Sequence, residues 1–306
     1  LVSYDKESNS LITVENVDHD LSGVYRTNFR TGDRKLIYRH DVVDIDAVLT
    51  DDESKVYGAT LMDGYHTLIF FKGENETKDR IKKLKSLFPG STISPSAESD
   101  DSTKSTFMVS SDINPGIHYL YDSTSDSLTP LGKYWGSIDY SNLSFMEPIA
   151  FKSRDGTTIH GYLTLPINYK KGDKIPVVVN PHGGPWARDR WGFNPEIQYL
   201  ANKGYGVFQM NFRGSVGYGR KFWECSFKEW GKSMQDDITD GVYWLINEGI
   251  ADSNRIAIYG ASYGGYATLA GLTFTPDLYA CGVDYVGVSN IFTLLETLPP
   301  YWELGR

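Results

Sequence analysis

Ile256-Ala257-Ile258-Tyr259-Gly260-Ala261-Ser262-Tyr263-Gly264-Gly265-Tyr266-Ala267-Thr268-Leu269-Ala270 is the stretch that decides the fold. Its opening apolar run closes on Gly260 and reads as a buried strand. The small and apolar residues after Gly264 read as a helix packed on a sheet, so Ser262 falls on the turn between the two.

The turn spells G-x-S-x-G. In that pattern a sharp strand-to-helix bend lifts a serine hydroxyl clear of the sheet, and the flanking glycines let the backbones pass closely. The start of the helix offers free amide groups and a positive dipole end, which suit a developing oxyanion. The plainer alternative is a glycine-rich turn in which Ser262 only caps the helix.

Working outward, the text on both sides alternates strands and helices. Ile149 to Pro166 reads as a hairpin around Asp155-Gly156. Pro176 to Asn180 is a buried strand, Pro195 to Lys203 a helix stopped by Gly204, and Tyr205 to Met210 a strand. Asp236 to Glu248 is a helix with acids in its first turn, and Ala280 to Val286 a further strand. The fold class is therefore α/β, a mainly parallel, doubly wound sheet.

From Leu1 to about Phe145 the text changes to short strands and polar turns, with almost no helical periodicity. Ser22-Gly23-Val24-Tyr25 returns as Asp63-Gly64-Tyr65-His66 and Pro115-Gly116-Ile117-His118. Acidic turns Asp5-Lys6-Glu7-Ser8, Asp51-Asp52-Glu53-Ser54 and Asp100-Asp101-Ser102-Thr103 recur just before strands. Spacings of about 41 to 52 residues match one four-stranded β-propeller blade per repeat, giving about three blades. Such a set leaves open ends, so further blades are expected before Leu1; stacked sheets or an open sandwich are the alternative. The expected domains are 1–146, a partial propeller, and 147–306.

A length of 306 residues with 40% hydrophobic and 23% charged residues fits a two-domain globular chain. The net charge of −9 is the wrong sign for a nucleic-acid binder. The basic run Arg80 to Lys85 reads as a solvated strand or loop face. No run of about eighteen apolar residues suggests a membrane span. Cys225 and Cys281 have neither disulfide nor metal spacing, and fit a cytoplasmic protein, with the periplasm or secretion left open. The chain opens on Leu1 without a methionine or leader, so its start is expected elsewhere.

After the buried strand comes Asn180-Pro181-His182-Gly183-Gly184-Pro185, whose glycine pair frees amide groups at the end of a strand, as the second half of an oxyanion hole requires. The crowded glycines of Asn211-Phe212-Arg213-Gly214-Ser215-Val216-Gly217-Tyr218-Gly219 lack the Lys-Ser/Thr ending of a phosphate loop. Arg213 there is a salt-bridge anchor in preference to an active-site rim residue.

In His182 to Pro185, Asn211 to Gly219 and Gly260 to Tyr266, the chain resembles the prolyl-oligopeptidase family of serine peptidases, and within it the acylaminoacyl-peptidase branch. The likeness is dense from Glu147 to about Asn290 and only architectural before that. It implies that residues 147–306 are the N-terminal part of an α/β-hydrolase catalytic domain. It also implies that Ser262 is the nucleophile, that the backbone amides of Tyr263 and Gly184 hold the oxyanion, and that the propeller restricts access. Peptides are the implied substrate; no cofactor or metal is called for, and self-association is left open.

The departures are as informative. In this fold the triad runs Ser, then Asp or Glu, then His, yet His19, His40, His66, His118, His160 and His182 all precede Ser262. Asp277, Asp284, Glu296 and Glu303 follow it with no imidazole to orient, and read as loop or helix-end residues. His182 reads as structural and not as a stand-in base. The expectation is an internal fragment of a longer peptidase, inactive alone because the triad Asp and His are missing. An esterase on the same site, or an interaction module with a degenerate hydrolase domain, are the alternatives.

Overall fold

The structure, a computed structural model, describes residues 3–5, 9–51, 54–73 and 75–300 of the chain. It divides into two compact units. The first takes in Leu1–Pro148, Arg190–Asn202 and Gly217–Lys221; the second Ile149–Asp189, Lys203–Val216 and Phe222–Arg306.

The first unit carries three sheets of consecutive antiparallel strands, as a repeat of blades requires. β1 (Ser3–Asp5), β2 (Ser10–Glu15), β3 (Gly23–Asn28) and β4 (Arg34–Arg39) make the first. β5 (Ile45–Thr50), β6 (Val56–Asp63) and β7 (Tyr65–Phe70) make the second, and α1 (Glu76–Leu87) follows it. β8 (Thr92–Glu98), β9 (Lys104–Ser111), β10 (Asn114–Asp122) and β11 (Ser127–Lys133) make the third. Ile12, Val24, Val43, Ile45, Ala59 and Leu61 form one buried cluster, and Leu84, Ile93, Phe107, Val109 and Tyr121 another.

The acidic turns of the repeat work as side-chain staples between strands. Asp101 accepts from the Ser99 hydroxyl at 2.6 Å and from the Thr103 hydroxyl at 2.8 Å, and these bonds hold its carboxyl at about 2. Residues 6–8 and 52–53 of the other two turns lie outside the described residues.

The helix α1 corrects two expectations. The second sheet has three strands among the described residues, and Arg80 to Lys85 sits on a helix, not on a strand or loop. Asn75 caps it by accepting from the Lys78 amide at 2.8 Å, and Ile81 and Leu84, three residues apart, are buried. Lys82 and Lys83 between them are exposed, and Lys83 pairs with Asp126, while Arg80 makes a mostly buried pair with Glu98.

The rest of the chain gives β12 (Met146–Lys152), β13 (Thr158–Thr164), β14 (Ile175–Val179), α2 (Pro195–Asn202), β15 (Gly206–Asn211) and α3 (Arg220–Glu224). α4 (Ser233–Asn247), β16 (Ala251–Ala261), α5 (Tyr263–Phe274), β17 (Cys281–Tyr285) and α6 (Ile291–Thr297) complete it. One six-stranded sheet runs in the order β12-β13-β15-β14-β16-β17. β13 meets β15 antiparallel, whereas β15, β14, β16 and β17 are parallel neighbours. Parallel neighbours cannot be joined by a tight hairpin, and helices α2 to α5 lie in the connections between these strands.

The centre of this sheet is dry. All six residues of β15 are buried, and Val177, Val179, Phe208, Met210, Ile256 and Ile258 are no more than 1% exposed. Each such side chain contributes about 1.5–3 kcal/mol by leaving water. At the edge the picture reverses: β17 pairs only with β16 among the described residues, and Val283, Tyr285 and Val286 are exposed.

Candidate active site

Because β14, β15 and β16 are adjacent and parallel, their carboxyl ends open at one edge of the sheet, the edge where such folds hold ligands. The oxyanion-loop candidate follows β14, the glycine-rich loop follows β15, and Ser262 follows β16. Sequence and topology together thus bring the three quoted motifs to one place.

Ser262 sits between β16 and α5 at φ +57° and ψ −118°, a conformation that a residue with a Cβ adopts only under constraint. Two backbone bonds impose it: the Ser262 amide donates to the Tyr285 carbonyl, and the Tyr266 amide donates to the Ser262 carbonyl, both at 3.0 Å. The residue is exposed, and its hydroxyl does not cap α5. The capping alternative is therefore excluded.

The glycines of the motif are required by contact. A Cβ on Gly260 would come within 2.5 Å of the Gly264 backbone, and one on Gly264 would run into the Pro181 carbonyl. The elbow and the loop after β14 are packed backbone to backbone. A Cβ on Gly183 would lie 3.5 Å from the Ser262 Cβ, so the diglycine borders the serine directly. The Asn180 side-chain amide fixes this approach by donating to the Tyr259 carbonyl at 2.8 Å.

Gly184 is exposed at φ +123°. The Tyr263 amide is the first of α5 and is among those a helix leaves without an internal acceptor. The Tyr263 side chain, by contrast, is core: it is 1% exposed, packs on Phe212, Trp230 and Tyr266, and burial pushes its phenol well above the usual range. Only its backbone is available to a ligand.

His182 has both ring nitrogens engaged. Nδ1 lies 2.7 Å from the Gly183 carbonyl, which only accepts, so Nδ1 carries the proton in the neutral ring. Nε2 lies 2.8 Å from the Ser215 hydroxyl, whose single hydrogen is shared with the Phe212 carbonyl at 2.7 Å. The ring stacks on Phe212 with centroids 4.4 Å apart, and burial lowers its pKa to about 4. This imidazole ties two loops together and has no free nitrogen to serve Ser262.

The loop after β15 is anchored by Arg213. Its guanidinium meets Asp237 at 2.6 and 2.9 Å and Asp155 at 2.6 Å, while its amide also donates to Asp237. Arg213 is an anchor, as its place in the sequence suggested. Its partner Asp237, wholly buried, was hidden there among the ordinary first-turn acids of α4.

Asp189 was also missed. Burial raises its carboxyl to about 7; one oxygen accepts from Gln209 at 2.8 Å and the other has no partner among the described residues. Nothing in its sequence neighbourhood marks it.

Of the acids after the serine, Asp284 accepts from the Gly287 amide at 2.8 Å, Asp277 is in a short 3-10 turn, and Glu296 is near the end of α6; all three are exposed. Glu303 lies outside the described residues. Trp191 and Phe193 belong to the first unit. Trp230 packs on Tyr263, and Phe222 packs against the core. Trp186, Trp223 and Phe227 form an edge-to-face cluster in the second unit, with the Trp186 indole donating to Ser226.

Residues 191–303 match the profile described as the prolyl oligopeptidase family. Dipeptidyl aminopeptidase BIII of Pseudoxanthomonas mexicana is 36% identical over 97% of this chain and 44% of its own length. Among solved structures, a puromycin-hydrolyzing peptidase of Mycobacterium tuberculosis shares the fold at a TM-score of 0.72 and 22% identity, covering 96% of this chain and 45% of that one. The acylaminoacyl peptidase of Pyrococcus horikoshii gives a TM-score of 0.64 and 25% identity, covering 92% and 44%. The chain spans less than half the length of these relatives.

Proposed function

From the premise that the chain is a relative of the prolyl oligopeptidase family, we propose that it is the nucleophile-bearing part of a serine peptidase acting on oligopeptides or N-acylated peptides through an acyl-enzyme. The observation that carries this reading is the uncapped Ser262, held at positive φ with the diglycine of the neighbouring loop against it. Ser262 Oγ attacks the scissile carbonyl, and the carbonyl oxygen, gaining charge, is taken by the Tyr263 and Gly184 amides. The acyl group passes to Oγ, the amine leaves with a proton, and water then releases the acid.

The proton needs an acceptor. His182 is engaged elsewhere, so we assign the base and its orienting carboxylate to parts of the protein outside these 306 residues, as the order of the triad in this fold requires. The first unit, 1–146 in our assignment, is the propeller portion that limits access, and 147–306 the hydrolase portion. The exposed Trp186 cluster is the candidate wall for an apolar side chain next to the cut. No helix among the described residues is long and apolar enough to cross a membrane. The two free cysteines favour the cytoplasm, with the periplasm or secretion as the alternatives.

The test uses the full-length protein. A fluorophosphonate probe labels it at Ser262, and acyl-alanyl and dipeptidyl p-nitroanilides are hydrolysed; Ser262→Ala abolishes both. Hydrolysis confined to p-nitrophenyl esters would replace the peptidase by an esterase. Absence of labelling would leave a non-enzymatic module.

A further inference from the structure

The first unit holds a cavity of about 600 Å³ that plays no part in the proposed chemistry, within the size range of small-molecule sites. Its lining includes Tyr65, His66, Lys85, Phe145, Glu147 and Trp191, all of the first unit. Two of these present charge that is paired with no group among the described residues. The Lys85 ammonium, on the half-buried last turn of α1, has no acid or carbonyl bonded to it among the described residues. Glu147 is exposed and likewise unpaired.

The other acids at hand are already committed. Asp112 accepts from the Met146 amide at 2.7 Å and the Ile113 amide at 3.1 Å. Asp46 forms a bidentate pair with Arg190 at 2.8 and 2.9 Å. Burial lowers the pKa of Lys85, and burial together with the Lys85 charge lowers that of His66. Lys85 and Glu147 thus bring opposite charges to one cavity, neither paired among the described residues, and a ligand carrying both charges would answer them. Beside them, the Tyr65 and Trp191 rings meet edge to face at 5.5 Å, and the Trp191 indole is fixed by donation to the Met146 carbonyl at 3.0 Å. This is a rigid apolar wall.

We infer that the cavity binds a zwitterionic α-amino acid or short peptide with an apolar side chain. Its carboxylate accepts from Lys85, its ammonium donates to Glu147, and its side chain lies on Tyr65 and Trp191. A bare anion leaves Glu147 unanswered and a bare amine leaves Lys85 so; a zwitterion satisfies both.

The test is titration calorimetry with phenylalanine, N-acetylphenylalanine and phenylalaninamide on the full-length Ser262→Ala protein, with Lys85 and Glu147 variants separating this site from the candidate active site. Phenylalanine binds saturably and more tightly than either blocked form. Lys85→Met weakens phenylalanine by about tenfold or more, the scale of a lost charge-assisted bond, and weakens N-acetylphenylalanine in parallel. Glu147→Gln weakens phenylalanine and leaves N-acetylphenylalanine unchanged. Unaltered thermal melting of both variants shows that neither has unfolded. Saturable binding of none of the three probes, equal binding of all three, or binding indifferent to Lys85→Met would overturn the proposal.

Discussion

At the scale of the residue, Ser262 combines backbone strain with a hydroxyl that contributes no hydrogen bond to the fold. A left-handed residue with a Cβ costs about 1–3 kcal/mol, so stability is expected to be given up here for position. Ser262→Gly should therefore raise the unfolding free energy by about 1 kcal/mol in urea titrations, while Ser262→Ala, which keeps the Cβ, changes it little. Both should lose at least about a thousandfold in hydrolysis by the full-length protein. The serine was legible because the G-x-S-x-G glycines are demanded by contact at that spot. His182 was legible only as a residue of the loop. Its bond to Ser215 joins positions 33 apart, and no local pattern announces such a partner.

At the scale of the element, the loop after β15 hangs on one ion pair. Arg213 and Asp237 have side chains 10% and 0% exposed, so removing the cation strands a carboxylate in the interior. Arg213→Met should destabilise by about 3–5 kcal/mol, whereas adding Asp237→Leu should recover most of that loss, measured by denaturant unfolding. The helix α1 shows where sequence reading failed at this scale. Ile81 and Leu84 are the two buried apolar residues of its middle turn, and the lysines around them hid the period, although Asn75 before Glu76 offered a capping signal. The strands of the parallel sheet were read within a few residues because their apolar runs are continuous. β16 alone runs longer than expected, starting at Ala251, since polar Asp252 to Arg255 gave no strand signal.

At the scale of the whole molecule, two partly buried groups titrate in opposite senses. His182, lowered from 6.5 to about 4, lends stability that is present above pH 6.5 and lost as pH falls towards 4. Asp189, raised from 3.8 to about 7, lends stability that is present near pH 4 and lost as pH rises towards 7. The two shifts correspond to about 3 and about 4 kcal/mol over their windows, less what partial contact with solvent restores. Between pH 4.5 and 6.5 the two contributions oppose each other. Asp189→Asn should expose a rise with pH and His182→Asn a fall, followed by urea midpoints across that range. The three sheets and the mixed sheet were legible as architecture because turn spacing and strand–helix alternation are long-range rhythms. Pairings such as Asp189 with Gln209 are not rhythmic and were invisible. The bare flank of β17 has a practical outcome for anyone who purifies these 306 residues. Among the described residues no strand answers the amides and carbonyls on that side of Val283 and Tyr285, a template for another copy, so the isolated polypeptide should sediment as a concentration-dependent mixture that Val283→Lys disperses.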